Sequence, residues 1–452
     1  MKYLGVEINI KNVPVLDGGF IPISLFCSEF LKNAKKPVSV CIERNNRQCA
    51  VYDTYVTGEN TVADRFYIER IVKTLLWLKG GYKVTICGDD DITAYIKGVY
   101  SKDGDRAFDN LFMERVYERE FEVASLGLSE KPAQSEQSIT IGGNITGCRI
   151  GFDAGGSDRK VSAVIDGTPV YSEEVVWSPK TMSDPDYHYD GIVSAFKTAA
   201  EKMPRVDSIG VSSAGIYIDN RTMVASLFLK VPPDAFDAKV KDIFIRAAKE
   251  IGDIPLQVVN DGDVTALAGA MELSENNILG IAMGTSEAGG FVDAAGNITG
   301  WLNELAFIPV DICETAMKDE WSGDIGCGVK YFSQDGVIKL AENAGIELAD
   351  SLSPGEKLKV VQGLLNDNDQ RASDVFKSMG CYLGHTLPYY REFYGFKHVL
   401  LLGRVMSGKG GDTIVDTAAQ VLKEEYPECR FNIHIPDEHN RRVGQSVAAA
   451  SL

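Results

Sequence analysis

The 452-residue chain has no CxxC pair, no apolar run of membrane length and a deficit of positive charge, and each absence removes a class of function. Lys and Arg number 46 against 64 Asp and Glu, a formal net charge of −18. That balance argues against a broad electrostatic grip on nucleic acid or anionic lipid. The nine cysteines (27, 41, 49, 87, 148, 313, 327, 381 and 429) are odd in number and scattered, so neither a disulfide framework nor a zinc ribbon is expected. They read as small core residues of a reducing cytoplasm. No stretch approaches the roughly 20 apolar residues that span a bilayer. The early apolar patch of Met1–Phe20 is broken by Glu7, Lys11 and Asp17, unlike a secretory signal. A soluble cytoplasmic protein is expected, with no membrane or nucleic-acid partner. Histidine is scarce, five in all. His434 and His439 lack metal-ligand spacing. For His188, in the polar stretch Ser183–Asp190, a surface loop position is expected, with substrate contact as the alternative.

What is present is a globular composition, 44% apolar and 24% charged, in a chain long enough for two or three folding units. The clearest break is the Ser-, Gln- and Gly-rich stretch 125–147, read as a linker. Before it, residues 1–124 read as a small α/β domain: a hairpin of Val38–Glu43 and Cys49–Val56, helix Phe66–Lys79, strand Lys83–Cys87, and helices Asp91–Tyr100 and Arg106–Glu118. The run Asp89-Asp90-Asp91 is expected to cap the helix that follows. After the break, strands at Ile150–Phe152, Val161–Asp166 and Thr168–Val176, helix Asp190–Lys202 and strand Val206–Ser212 follow in order. Further strands are expected at Ile278–Met283, Gly289–Asp293 and Ile298–Trp301.

Four motifs carry chemistry. Ile150–Ser157 is a strand running into an acidic, Gly-rich turn, where glycines let backbone N–H groups approach a phosphate and Asp153 can hold Mg²⁺ through its water shell. Gly280–Gly290 repeats that logic. An ordinary β-turn is the competing reading of each. Between them, Val258–Ala270 is an apolar strand followed by Asn260 and Asp261, then a helix of small residues. An Asp at such a strand end can accept a hydroxyl proton while Asn260 bonds a neighbouring hydroxyl. Asp263 reads as a helix N-cap. The fourth, His398–Gly408, is a buried-type strand ending at Gly403.

In this order the motifs resemble those of the ROK sugar kinases of the actin-like ATPase superfamily, over Cys148 to Leu452. Asp153, Gly155, Gly156 and Ser157 match the first phosphate motif; Gly284, Thr285, Ser286, Gly289 and Gly290 fall on the second; Gly403 matches the first adenosine-motif glycine. Asn260 and Asp261 match the pair whose Asp is the family's base. Gly300–Phe307 is similar to the sugar-contacting segment, with Glu304 on its Glu, and Ser213 and Gly215 lie where the family has a loop beside the sugar. The resemblance implies a two-lobed, ribonuclease H-like α/β core at 148–452. Lobe I would span about 148–259 plus a C-terminal helix at about 440–452, and lobe II about 260–439, closing over a cleft. It also implies ATP and Mg²⁺ as cofactors, a sugar as substrate, and phosphoryl transfer to a sugar hydroxyl. The oligomeric state stays open, a homodimer included. The alternative is a catalytically weak sugar- or nucleotide-binding sensor of the same fold. A ROK-type repressor would need a basic N-terminal winged helix, and the segment before Ile145 carries 18 Lys and Arg against 20 Asp and Glu.

The chain also departs from the family. Glu287 and Arg404 stand at the two ends of the expected nucleotide site. A carboxylate there would repel the γ-phosphate unless a cation intervenes, and Arg404 would crowd adenine. Their opposite charges are expected either to compensate each other or to point separately to solvent. Phe307, Glu320 and Ser322 occupy three of the four positions of the family's zinc site, and Cys327 alone cannot form one. Elemental analysis of the purified protein should therefore show no stoichiometric zinc. Zinc that survives dialysis against a mild chelator would mean that this stretch is misaligned with the family.

Overall fold

The structure, a computed structural model, describes residues 1–136, 144–436 and 441–452, without the side chains of 441–444. His439 lies outside the described residues. The chain forms two compact units. The first takes the described residues of Met1–Gln137, Ile281–Gly289 and Trp301–Ile435; the second takes those of Ser138–Gly280, Gly290–Gly300 and Pro436–Leu452. This division differs from the boundaries expected from sequence. Residues 1–124 do not stand apart but share a unit with 301–435, and helix Asp261–Leu273 belongs with the strands before it.

The second unit is built on a five-stranded sheet with spatial order Leu256–Asn260, Ser208–Ser213, Cys148–Ala154, Asp158–Ile165, Thr168–Val176. The first three strands are parallel and the last two add antiparallel. Cys148–Ala154, a central strand, is buried along its whole length, Arg149 and Asp153 included. Thr168–Val176 alternates between exposed and half-buried positions, as an edge strand does. Helix Arg441–Ala450 packs against the two inner strands, and glycine permits the approach. A Cβ on Gly151 would overlap the Ser446 carbonyl oxygen, and one on Gly210 that of Ala449. His188 is fully buried on helix Pro185–Ala200, not on a surface loop, with its ring against the carbonyls of Asp184, Pro179 and Leu227. The aromatic neighbours Trp177, Tyr187 and Phe228 enclose it. Of the strand expected at Ile298–Trp301, only a single bridge from Ile298 to Val292 forms.

In the first unit the hairpin Lys36–Glu43/Cys49–Val56, strand Lys83–Cys87 and strand Glu122–Leu126 make one sheet, the last strand running two residues into the expected linker. Helix Val62–Lys79 opens with a reciprocal capping box between Thr61 and Asp64. Asp89 caps helix Asp90–Val99 through the Ile92 N–H, as expected. A second sheet orders Glu287–Val292, Ile278–Met283, His398–Leu402 and Asn432–His434. Helix Gln370–Tyr394 packs on helix Lys409–Glu425, where Gly380 and Gly384, one turn apart, leave room for Ile414, Thr417 and Val421. The N-terminal stretch is tied to these helices: His385 Nε2 and the Asn12 carbonyl are 2.8 Å apart, and Glu425 accepts from the Asn12 N–H at 2.7 Å. A buried charge cluster also joins distant stretches. Asp324 receives Arg70 at 3.0 Å, Lys73 at 3.1 Å and Arg106 at 2.8 Å, while Glu69 pairs with Arg70 and Arg106. Among the described residues no helix is long and apolar enough to cross a membrane.

Replacing Gly151 with Ala should lower stability by about 1–3 kcal/mol, the usual cost of overfilling a packed contact. Chemical denaturation measures it. An unchanged midpoint would mean that the C-terminal helix does not seat on this strand.

Candidate functional site

Three parallel strands of the second unit end at one level. Asp153 lies opposite Ser212, and Ser213 lies opposite both Ala154 and Asn260. In open α/β sheets the carboxyl edge is where ligands bind. The register therefore gathers Asp153, Ser213, Asn260 and Asp261 on one edge. Ser212 donates to Asp153 Oδ1 at 2.8 Å, and burial raises the Asp153 carboxyl above its ordinary range, against the pull of Ser212 and Lys160.

Asn260, not Asp263, caps helix Asp261–Leu273. Its Oδ1 accepts from the Gly262 N–H at 2.7 Å, and its Nδ2 donates to the Gly215 carbonyl at 2.7 Å. One amide hydrogen of Asn260 is left for a ligand. Gly215, at φ +141°, has its backbone turned so that a Cβ would press on Ala225, and its carbonyl serves to orient Asn260. Asp263 is buried and accepts from the Phe291 N–H at 3.1 Å. The Ser213 hydroxyl is buried with no hydrogen-bond partner among the described residues. Asp261 is partly open to solvent yet closely surrounded by protein. Burial, then repulsion from Asp153, pushes its carboxyl up to about 6, against stabilisation by backbone N–H groups and Lys180.

Gly155, Gly156 and Ser157 form the turn after the Asp153 strand. Trp177 Nε1 donates to the Gly155 carbonyl at 2.7 Å, and Ser157 Oγ to Asp158 at 2.9 Å. A Cβ on Gly156 would sit 2.8 Å from Lys180 Cε and 3.0 Å from its Nζ. Lys180, on the short turn Pro179–Thr181, makes no ion pair with a described residue. Sequence reasoning passed over it, since nothing in a lone lysine 24 positions downstream says that it returns to the glycine turn.

Of the remaining motif residues, Gly290 falls in the second unit, and Gly284, Thr285, Ser286, Gly289, Glu304 and Gly403 fall in the first. Thr285 and Ser286 are exposed in the turn after strand Ile278–Met283, and the Gly284 carbonyl accepts from the Gln334 N–H at 2.9 Å. Gly403, at φ +97°, lies so close to Met283 that any Cβ would overlap the Met283 carbonyl. The strand end before the Gly284 turn and Gly403 are thus neighbours. Glu304 is half-buried, and its N–H donates to the Trp77 carbonyl at 3.0 Å. Phe307 stacks on Trp77 with ring centroids 4.1 Å apart; Glu320 pairs with Lys330 at 2.6 Å; Ser322 Oγ donates to Asp319 at 2.6 Å. Cys327 is buried, and burial pushes its thiol up to about 12. Among the described residues no group of three or more His, Cys, Asp or Glu is arranged to hold a metal.

Glu287 is neither in solvent nor paired with Arg404. It is 3% exposed, with the Tyr390 hydroxyl donating to its Oε1 at 3.3 Å and its Oε2 pressed under Gly328 without a hydrogen-bond partner. Burial pushes its carboxyl up to about 8, against the Tyr390 bond. Arg404 is exposed and makes no ion pair with a described residue. Because the folded protein holds the Glu287 proton to higher pH than the unfolded chain does, stability should be fullest below the ordinary carboxyl range near 4.5 and fall as pH rises towards 8. Glu287→Gln should remove that part of the decline. Denaturation midpoints of both proteins across this window check it, and parallel curves would show that the carboxyl is not held protonated.

No family model and no curated protein sequence matches the chain, but solved structures do. A ROK hexokinase from Thermus thermophilus superposes with a TM-score of 0.53 at 17% identity, covering 67% of this chain and 97% of that one. A ROK family glucokinase from Streptomyces griseus, solved with glucose and AMPPNP, gives 0.50 at 19% identity, covering 67% and 98%. A ROK family transcriptional regulator, a homolog of the E. coli MLC protein, gives 0.50 at 16% identity, covering 72% and 82%. The chain has the actin-like α/β fold of the ROK sugar kinases, the group that its motifs resemble.

Proposed function

We propose that the protein transfers the terminal phosphoryl group of ATP to a hydroxyl of a sugar or sugar derivative, with Asp261 as general base. One observation carries the reading: a carboxyl held at about 6 beside a fixed Asn260, at the shared carboxyl edge of three strands. A base of that pKa is ionised at neutral pH and still able to take a hydroxyl proton in the transition state. In this reading Asn260 donates its remaining N–H to a sugar hydroxyl, Ser213 offers the adjacent one a partner, and Glu304 is a second sugar-orienting residue. Gly215 acts by holding Asn260.

The donor set suits the nucleotide. Gly156 and Ser157 are exposed with the Lys180 ammonium beside Gly156, and Thr285 and Ser286 are exposed in the second glycine turn, whose strand meets Gly403. Mg²⁺ keeps most of its waters and needs one or two carboxylates, of which Asp153 would provide one. Bound ATP and Mg²⁺ would supply the phosphoryl group and neutralise its charge. Glu287, turned into the first unit's interior, puts no charge against a phosphate there, which removes one motif-level argument for a sensor.

A transfer assay over a panel of sugars tests the reading. Asp261→Asn should lose about 10²–10⁴-fold in kcat with sugar affinity nearly intact. The wild-type rate should fall as pH drops through about 6, where Asp261 takes up its proton, and Lys180→Met should move that inflection upward by removing a charge that favours the carboxylate. Undiminished turnover in Asp261→Asn would remove the base, and a wild type that binds sugar but transfers nothing would be a sensor of the same fold.

A further inference from the structure

The C-terminal turn of helix Val62–Lys79 meets five of the seven residues of Trp301–Phe307. Lys79 Nζ lies 4.0 Å from the centroid of the Trp301 ring. Gly80, at φ +80°, ends the helix so close to Leu302 that a Cβ would come within 2.7 Å of Leu302 Cγ. The Asn303 N–H donates to the Leu78 carbonyl at 2.9 Å, and the Glu304 N–H donates to the Trp77 carbonyl at 3.0 Å. The Trp77 ring stacks on Phe307. On the opposite side, the Tyr394 hydroxyl donates to Asn303 Oδ1 at 2.9 Å.

Two backbone needs are met at once. The last four carbonyls of a helix have no partner within it, and a segment without a ladder of its own must place its N–H groups elsewhere. Trp77 and Leu78 carry such orphan carbonyls, and Asn303 and Glu304 supply the donors. Asn303, at φ +52°, is held in a left-handed conformation that a free loop would populate sparsely. Trp77 is itself fixed, since its indole Nε1 donates to the buried Asp109 at 2.9 Å.

We infer that residues 62–80 are a built-in positioning element for the sugar-contacting segment, with Trp77 and Lys79 as the positioning residues that set the direction of Glu304. The inference rests on the reading of Glu304 as a sugar contact. Neither Trp77 nor Lys79 is assigned a contact with substrate; each acts through the segment it holds. The N-terminal part of the chain is on this account a determinant of sugar affinity.

The test measures KM for sugar and for nucleotide in wild type, Trp77→Leu, Trp77→Phe and Lys79→Met, with hydrogen exchange followed in the peptide spanning 300–308. Trp77→Leu should raise the sugar KM by about tenfold while the nucleotide KM stays within about twofold, because misplacing one orienting group is costly at that group alone. Trp77→Phe, which keeps a ring against Phe307, should recover most of the loss, and exchange at 300–308 should rise in Trp77→Leu only. Lys79→Met, which keeps the stem and loses the ammonium, should fall between, and it carries the test with Trp77→Phe if Trp77→Leu does not fold. An unmoved sugar KM, or a nucleotide KM that rises in step with it, overturns the inference and leaves the kinase reading standing. A wild type that neither binds nor phosphorylates any sugar overturns the kinase reading, and this inference with it.

Discussion

Parallel strands cannot slide by one residue without exchanging their two faces, so a register fixed by burial on both sides also fixes what stands at the strand ends. In the second unit that constraint aligns Asp153 with Ser212 and Ser213 with Asn260. The close seat of the C-terminal helix over Gly151 and Gly210 locks the same strands from one face. Two acidic side chains then share one edge, where burial first and repulsion from Asp153 second raise the Asp261 carboxyl. A carboxyl tuned towards neutrality follows from strand geometry before any ligand is considered.

The first unit depends on a different kind of interaction. Two buried cations, Arg70 and Lys73, and the half-buried Arg106 meet Glu69, Asp109 and Asp324. Burial works against the Asp324 charge, but Arg70 and Lys73 outweigh it and hold that carboxyl below its ordinary range. Such a cluster is weak evidence of net stability, because desolvation offsets most of the attraction. Its value lies in discrimination: removing any one member strands its partners in the interior. Helix Val62–Lys79 can therefore pair with the stretch around Asp324 in one arrangement only.

The local elements were legible because they follow local rules. The hairpin of Lys36–Glu43 and Cys49–Val56, helix Asp90–Val99 and the strand Ile278–Met283 lie within two residues of where periodicity placed them, while helices Val62–Lys79 and Pro185–Ala200 begin four and five residues earlier than expected. The order of the glycine turns and the Asn260-Asp261 pair pointed to the fold that the structural neighbours share. Directions and long-range partners were not legible. Glu287 follows a glycine turn, and nothing in its neighbours says that strand alternation turns it inward beneath Gly328. His188 looked solvated among aspartates and tyrosines, yet one helix face carries it into the core. Lys180 reaches the glycine turn from a distant turn, and the aromatic match of Trp77 to Phe307 joins residues too far apart in sequence for any pattern to link. The break at 125–147 marked a real change in composition, but the residues before it do not make a unit of their own: they share one with 301–435.

The joining of Val62–Lys79 to Trp301–Phe307 has a consequence during synthesis. At about 5–20 residues per second, on the order of 10–40 s separate the ribosomal exit of Trp77 from that of Phe307. For that interval the aromatic face of the helix, with Trp77, Phe108 and Phe112 stacked together, waits for its partner while the five strands of the second unit's sheet are being made. Nascent chains of this protein halted between those two points should display an apolar surface of the kind that general chaperones retain, and it should vanish once the later segment emerges.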